Sequence, residues 1–385
     1  MPLAFETATT EAELAALADG WDDLVLAAPR PSPFMLHSWI LECWRDVGEG
    51  VELAVHVARR DGRLVAALPL WTRRQNGLRV TEFVGGQASA LADLLLANGE
   101  DDATARAVVE RAAADSRDLV DLFGLPGGSR LAAVAAPGSL RLIERIDAPL
   151  LDMSDGWDAV YRAKTDSKKR NLHRRRRRQL GEQGRELAVE CARSLDELEP
   201  ALEAAFELHA LRWAGRPDGS GFATPGGRRF NRAVLRALAD RGVPRIVTLK
   251  LDGRPIAFHY YFALGKAMVV YRLAFDPALG RFSPGLVNTL DAIEAASAEG
   301  LERVEFLGGA ERYKLELADR LAPLYEGLGF AATPQGRLAV AGRLGSIRAR
   351  KRLKRSPMLR RAYFEGLAPA RRALERARRA ATASE

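Results

Sequence analysis

The chain has little that could support redox, metal or membrane-spanning chemistry. Only two of its 385 residues are cysteine, Cys43 and Cys191. Two thiols cannot build a disulfide framework, so a reducing compartment is expected. The five histidines, at 37, 56, 173, 209 and 259, are scattered, and no CxxC or HxxxH spacing occurs. No metal site is expected from such a set. No apolar run approaches the ~18 residues that a membrane span needs. The opening residues, MPLAFETATTEAELAALADG, are acidic and do not read as a signal peptide. A cytoplasmic location is the expectation.

What is present is an ordinary globular composition, with 47% apolar and 28% charged residues. The length suits two or three domains with sizeable cores. The net charge of +8 conceals a lopsided distribution. Residues 162–185 carry +9 and residues 343–380 carry +12, so the remainder is an acidic body of −13. The basic pI is therefore weak evidence for a nucleic-acid partner.

Hydrophobic patterning gives a coarse twofold order and an α/β (α+β) reading. Residues 51–58, 63–71 and 78–85 read as a three-strand meander, with Asp61-Gly62 as one turn. A helix over 101–114 and a strand over 118–125 follow. The order recurs in strands 244–251, 255–264 and 267–275, with turns at Asp252-Gly253 and Gly265-Lys266. A helix over 285–299, ended by Gly300, and a strand from Arg303 to Gly309 complete the second set. Each helix must cross over so that its following strand runs parallel to an earlier one, giving two mixed, mostly antiparallel sheets flanked by helices. Two helices, 195–213 and 229–241, precede the second meander, with the Gly/Pro-rich loop 214–227 between them. Domains are expected at 1–150 and 151–338, with 339–385 as a basic helical tail that lacks a wide apolar stripe and stands off the core.

This order, with Arg281-Phe282-Ser283-Pro284-Gly285-Leu286 at the strand-to-helix junction and Phe306-Leu307-Gly308-Gly309-Ala310-Glu311-Arg312-Tyr313-Lys314 after the next strand, resembles the GNAT acyltransferases. With the basic stretch Lys168–Arg176 ahead of the first helix, it is similar to the tandem-domain, cellulose-biosynthesis-type acetyltransferase branch, related to the Fem-type peptidyltransferases. The resemblance covers about 150–335. It is weaker over 30–150, where Pro33-Phe34-Met35-Leu36-His37-Ser38-Trp39 carries it. It implies two GNAT-like domains and transfer of an acyl group from acetyl-CoA or another acyl-CoA, without a metal. The acceptor it implies is an amine or hydroxyl of a polysaccharide or cell-envelope precursor. The glycine positions of the usual pyrophosphate loop hold Pro284 and Leu286, which leaves the donor open.

Candidate roles follow from side-chain chemistry. The helix starting near Gly285 offers free amides to a phosphate, and Arg281 adds charge, so Arg281, Ser283, Pro284, Gly285 and Leu286 are donor-site candidates. Gly308 and Gly309 would let a thioester arm pass close to backbone. Tyr313 could protonate a departing thiolate, and Lys314 could hold an anion. His259 and Glu311 are base candidates, although the apolar strand around His259 favours a core histidine. Arg212 and Trp213 could grip a sugar or phosphate, and Tyr271 joins the substrate-facing set. Eight Lys/Arg in residues 168–178, among them Lys168 and Arg170, form a polyanion-facing element. The tail, with Met358, Leu359, Tyr363, Phe364 and Leu367 among its arginines, suits either an anionic membrane surface at the inner face or a solvated extension. Two other readings stay open. One is a Fem-like aminoacyltransferase fed by aminoacyl-tRNA. The other is a non-catalytic membrane- or nucleic-acid-binding protein.

Overall fold

The computed structural model describes residues 3–116, 118–182, 185–214, 221–309 and 311–355, with side chains to 349. The strands are β1 Leu3–Ala8, β2 Val51–Arg60, β3 Arg63–Gln75, β4 Leu78–Phe83, β5 Leu95–Leu96, β6 Leu119–Pro126, β7 Leu140–Ile146, β8 Pro149–Asp152, β9 Leu187–Ala192, β10 Pro244–Leu251, β11 Arg254–Leu264, β12 Ala267–Phe275, β13 Arg303–Glu305, β14 Arg320–Leu321 and β15 Leu324–Gly329. The helices are α1 Glu11–Ala15, α2 Trp21–Leu26, α3 His37–Asp46, α4 Asp102–Asp115, α5 Arg130–Val134, α6 Trp157–Lys164, α7 Ser167–Leu180, α8 Leu195–Trp213, α9 Pro225–Ala239, α10 Pro284–Ala298, α11 Arg312–Leu317 and α12 Pro334–Arg355.

These elements form two mixed sheets. The first runs β1-β2-β3-β4-β6-β15-β7, with β5 also paired to β3; the second runs β14-β8-β13-β12-β11-β10-β9. Each sheet has one parallel pair, β4 with β6 and β12 with β13, and the other pairs are antiparallel. The crossover helices α4 and α10 join the parallel strands, as the hydrophobic pattern implies. Asp61-Gly62 and Asp252-Gly253 both take positive φ at each residue, the two-residue hairpin geometry that the right-handed strand twist favours. Caps set the helix starts: Asp166 accepts from the Lys169 amide at 2.6 Å, and Ser194 with Glu197 forms a capping box on α8. The helix expected from 229 begins at Pro225, because Thr224 caps it and proline fits the first turn.

One segment crosses the linear division of the chain. Strand β15 lies between β6 and β7 of the first sheet, although its residues follow the whole second meander in sequence. The core is shared as well. Phe34 and Trp39, from the 33–39 entry segment, meet Phe262 and Tyr271 of the second sheet at ring distances of 5.8–6.1 Å. The two halves are further joined by a buried ion pair, in which Arg30 Nη2 lies 2.6 Å from Glu305 Oε2 and Arg30 Nε lies 3.2 Å from Glu305 Oε1.

The start of the tail is not an appendage. Ile347 is buried with Val80, Leu119 and Leu328, and Ala339, Val340 and Leu344 pack beside it. Arg343 reaches Glu326 at 3.0 Å and Asp121 at 3.5 Å. A narrow apolar row, reinforced by charges paired to the sheet, is enough to dock this helix, which the sequence reading underrated. Residues 356–385 lie outside the described residues, and with them Met358, Leu359, Tyr363, Phe364 and Leu367.

Candidate functional site

The second sheet opens where its parallel pair ends. β12 and β13 are in register over Ala267–Val269 and Arg303–Glu305, and β12 then continues to Phe275 paired, among the described residues, only with β11. Val270 opposes Tyr261 and Arg272 opposes Tyr260, so Tyr271 is the extra residue of a β-bulge at the point of parting. Such bulges bend a strand and re-aim its side chains. On the other side the chain turns sharply after Phe306, with positive φ at Leu307 and Gly309.

A cavity of about 560 Å³ fills the opening. Its walls are Val270–Phe275 of β12, Phe306–Gly308 with Glu311, Tyr313 and Lys314, the end of α8, and residues of the first half that include Phe34, Ala90, Phe123 and Ile146. The first half is thus part of the site. In the first sheet the corresponding opening between β4 and β6 is closed by its own chain. β5 pairs onto β3, Ala92 donates to the Gly124 carbonyl at 3.1 Å, and a Cβ on Gly124 would stand 3.0 Å from the Leu91 nitrogen.

The structure gathers Arg212, Trp213, Tyr271, Gly308, Glu311, Tyr313 and Lys314 around this one cavity. Lys314 is buried, and its Nζ is engaged by the Gly308 carbonyl at 3.0 Å and Glu311 Oε2 at 2.9 Å. It ties the glycine turn to α11. Tyr313 has its phenol pKa raised by burial and by Glu311, so it stays protonated and suits a proton donor. Tyr271 is a core aromatic at the cavity edge, its hydroxyl donating to Asn231 Oδ1 at 3.0 Å. Gly309 has φ near +104°, and a Cβ there would lie 2.6 Å from the Glu311 carboxylate. Only glycine suits that position.

Other candidates sit apart. Arg281, Ser283, Pro284, Gly285 and Leu286 are not on the lining, but Gly285 packs so closely on Phe275, a wall residue, that a Cβ would meet Phe275 Cδ1 at 2.7 Å. Pro284 opens α10, with Ser283 in the left-handed region before it and no side-chain cap. Lys168 and Arg170 are on α7, away from the cavity, and Arg170 donates to the backbone carbonyl of Thr165. Nor does His259 line the cavity. It is buried, neither ring nitrogen has a partner among the described residues, and burial with the nearby Lys314 charge lowers its pKa to about 3. It is neutral, and it is a core histidine without satisfied nitrogens.

The sequence reading missed Arg272, and it set His209 aside as a core residue on an apolar helix face. Arg272 lines the cavity, a lone charge in the strand AMVVYRLAF, and that isolation was the available signal. His209 also lines it, stacked on Trp213 at 5.9 Å. A larger groove of about 730 Å³ lies at the opposite end of β12 and β13, near Lys266, Glu302 and Arg320, and holds none of the candidate residues.

The basic helix α7 runs antiparallel to α10. Leu180 at its end packs with Leu279 and Phe282, just ahead of α10, and with Val287 in its first turn. Lys169 pairs with Glu316 and Arg177 with Asp291. Among the described residues, no carboxylate is within ion-pair distance of Lys168, Arg174, Arg175, Arg176 or Arg178. No helix among the described residues is long and apolar enough to cross a membrane, and none of their side chains form a metal-ligand group.

Comparison with known proteins agrees with this geometry. Residues 167–315 match the family model of the acetyltransferase (GNAT) domain. A search of curated protein sequences found no match. Among solved structures, FemX superposes with a TM-score of 0.55 at 11% identity, over 84% of this chain and 97% of that one. The C-terminal domain of a protein assigned as a lysylphosphatidylglycerol synthetase from Agrobacterium fabrum gives 0.54 at 14% identity, over 86% and 96%. A conserved protein of unknown function from Bacteroides thetaiotaomicron gives 0.53 at 15%, over 85% and 99%. At these identities the structures speak for the fold alone. Together, the family match and the two mixed sheets identify a chain with two GNAT-like units that carries a GNAT acetyltransferase domain, and so an enzyme of the N-acyltransferase class.

Proposed function

We propose that the cavity between β12 and β13 is the transfer site, where an acyl group passes from acyl-CoA to an amine or hydroxyl of a polysaccharide or cell-envelope precursor. The observation that carries this is the parting of the parallel pair at the Tyr271 bulge, with Gly308, Glu311 and Tyr313 facing it. A strand edge without a partner offers backbone amides and carbonyls to an extended arm. Arg281, Ser283, Pro284, Gly285 and Leu286 would hold the donor's phosphates at the start of α10, and Gly308-Gly309 its thioester arm. The fit rests on room at the backbone: Gly308 is exposed, and a Cβ on it would meet nothing nearer than Ile146 at 3.4 Å.

In this reading the acceptor attacks the thioester carbonyl directly, the carbon–sulfur bond breaks, and Tyr313 gives its proton to the leaving sulfur. The acceptor's proton leaves to Glu311, the carboxylate of the described lining, and returns from there to solvent and Tyr313. His259 takes no part, because its ring is sealed in the core. Arg212 and Trp213 form the acceptor's wall.

A second reading, in which the donor is aminoacyl-tRNA, is favoured by the unpaired cations of α7. Calorimetric titration with CoA and acetyl-CoA decides between them. Binding of acetyl-CoA that Gly285→Ala weakens supports the first reading. Absence of binding by every CoA ester, with salt-sensitive binding of tRNA, supports the second.

A further inference from the structure

We propose that the acceptor carries an anionic group, a phosphate or a carboxylate, and that Arg272 and His209 form the subsite that receives it. This deepens the reading of the cavity as the transfer site and rests on it.

Arg272 and His209 both line the cavity. The Arg272 guanidinium lies 4.3 Å over the Tyr271 ring and uses Nη1 to donate to the Tyr271 carbonyl at 2.9 Å. Its Nε is buried and has no partner among the described residues, and no carboxylate of those residues is within ion-pair distance. A buried donor left unmade is costly, and more so when it is charged. His209 is 3% exposed, and its Nδ1 likewise has no partner. Burial and the Arg272 charge hold its pKa at about 4, so it is neutral and can donate one ring N–H.

The surrounding charges point the same way. Arg212, Arg272 and Lys314 line the cavity, and Glu311 is the carboxylate opposite them, already bridged to Lys314 at 2.9 Å. A guanidinium with an unused N–H beside a neutral imidazole matches the planar oxygens of a carboxylate or two oxygens of a phosphate. Trp213, stacked on His209, would cover the apolar part of the same ligand. The bulge supplies the orientation, since the extra residue Tyr271 precedes Arg272 on the strand.

The test uses the full chain with histidine-selective ¹⁵N labelling, which gives five probes. His209→Asn identifies the His209 signals. Inorganic phosphate, acetate and the neutral control acetamide are titrated at constant ionic strength into the wild type, Arg272→Gln and Arg272→Lys. The expected result is a saturable shift of the His209 signals with phosphate or acetate but not with acetamide. The anion acting at the lower concentration identifies the group. Arg272→Gln is expected to weaken the response about tenfold or more, with Arg272→Lys between. Unchanged signals from the other four histidines show that the variants are folded. No response to either anion, or an equal response in Arg272→Gln, overturns the proposal. An anion response without any acetyl-CoA binding removes the CoA reading and leaves this subsite standing; the reverse pattern removes this subsite alone.

Discussion

Removing Arg30 is expected to weaken the joint between the two halves by an amount that the structure lets one estimate. Glu305 is 1% exposed and Arg30 16% exposed, and two contacts of 2.6 and 3.2 Å join them. Arg30→Met would leave the carboxylate buried with only Arg303 within reach, 3.2 Å away. Breaking a buried pair from one side costs about 3–5 kcal/mol, and the remaining arginine places this case near ~3 kcal/mol. That is a large fraction of the roughly 5–15 kcal/mol that holds a domain folded. The double variant Arg30→Met/Glu305→Leu removes both charges. It is expected to recover to within about 1 kcal/mol of wild type, a coupling of ~2 kcal/mol or more. Urea unfolding of the wild type, both single variants and the double variant measures this. The reasoning is refuted if Arg30→Met costs less than about 0.5 kcal/mol, or if the double variant is as unstable as the worse single one.

Other outcomes follow from the same geometry. Gly285→Ala forces a methyl to 2.7 Å from Phe275 and should cost ~1–3 kcal/mol, with a higher acetyl-CoA Kd by calorimetry. Tyr313→Phe should lower kcat by about 10²–10⁴-fold while leaving acetyl-CoA affinity intact, read by thiol release. The Asp121 carboxyl is pushed up to about 7 by burial and by the Glu326 charge, against the pull of Arg343. Its folded form holds the proton more tightly than its unfolded form, so this stability is full below about pH 4 and lost as pH rises through about 7. Asp121→Asn should flatten that slope and raise stability near pH 8, as measured by urea unfolding across the range; an unchanged slope would contradict it.

The lining of the cavity shows how far each kind of information reaches. The two meanders, the crossover helices and the strand after each were legible because alternation and Asp-Gly turns act over a few residues, whereas strands such as β1, β7, β9 and β15 were not read. Gly308, Glu311, Tyr313 and Lys314, which line the cavity, could be picked out as candidates because they lie together in the chain. Arg272 was hidden among apolar neighbours, and its exposure to a cavity depends on a bulge that no local pattern announces. His259 was a plausible base by chemistry, yet its value turns on burial. The tail from 339 read as standing off the core for want of a wide apolar stripe, because the partners of its helix, Val80, Asp121 and Glu326, come from three separate strands.

By itself the sequence determined the class of fold, the order of the two meanders with their crossovers and the concentration of positive charge in two segments, the first of them containing the helix α7. These are set by hydrophobic periodicity and composition, which are properties of neighbours in the chain. Tertiary structure alone decided that β15 returns to the first sheet, that Phe34 and Trp39 pack against the second, and that the cavity has walls from both halves. Those arrangements arise from contacts between residues far apart in sequence, where burial and pairing outweigh local preference.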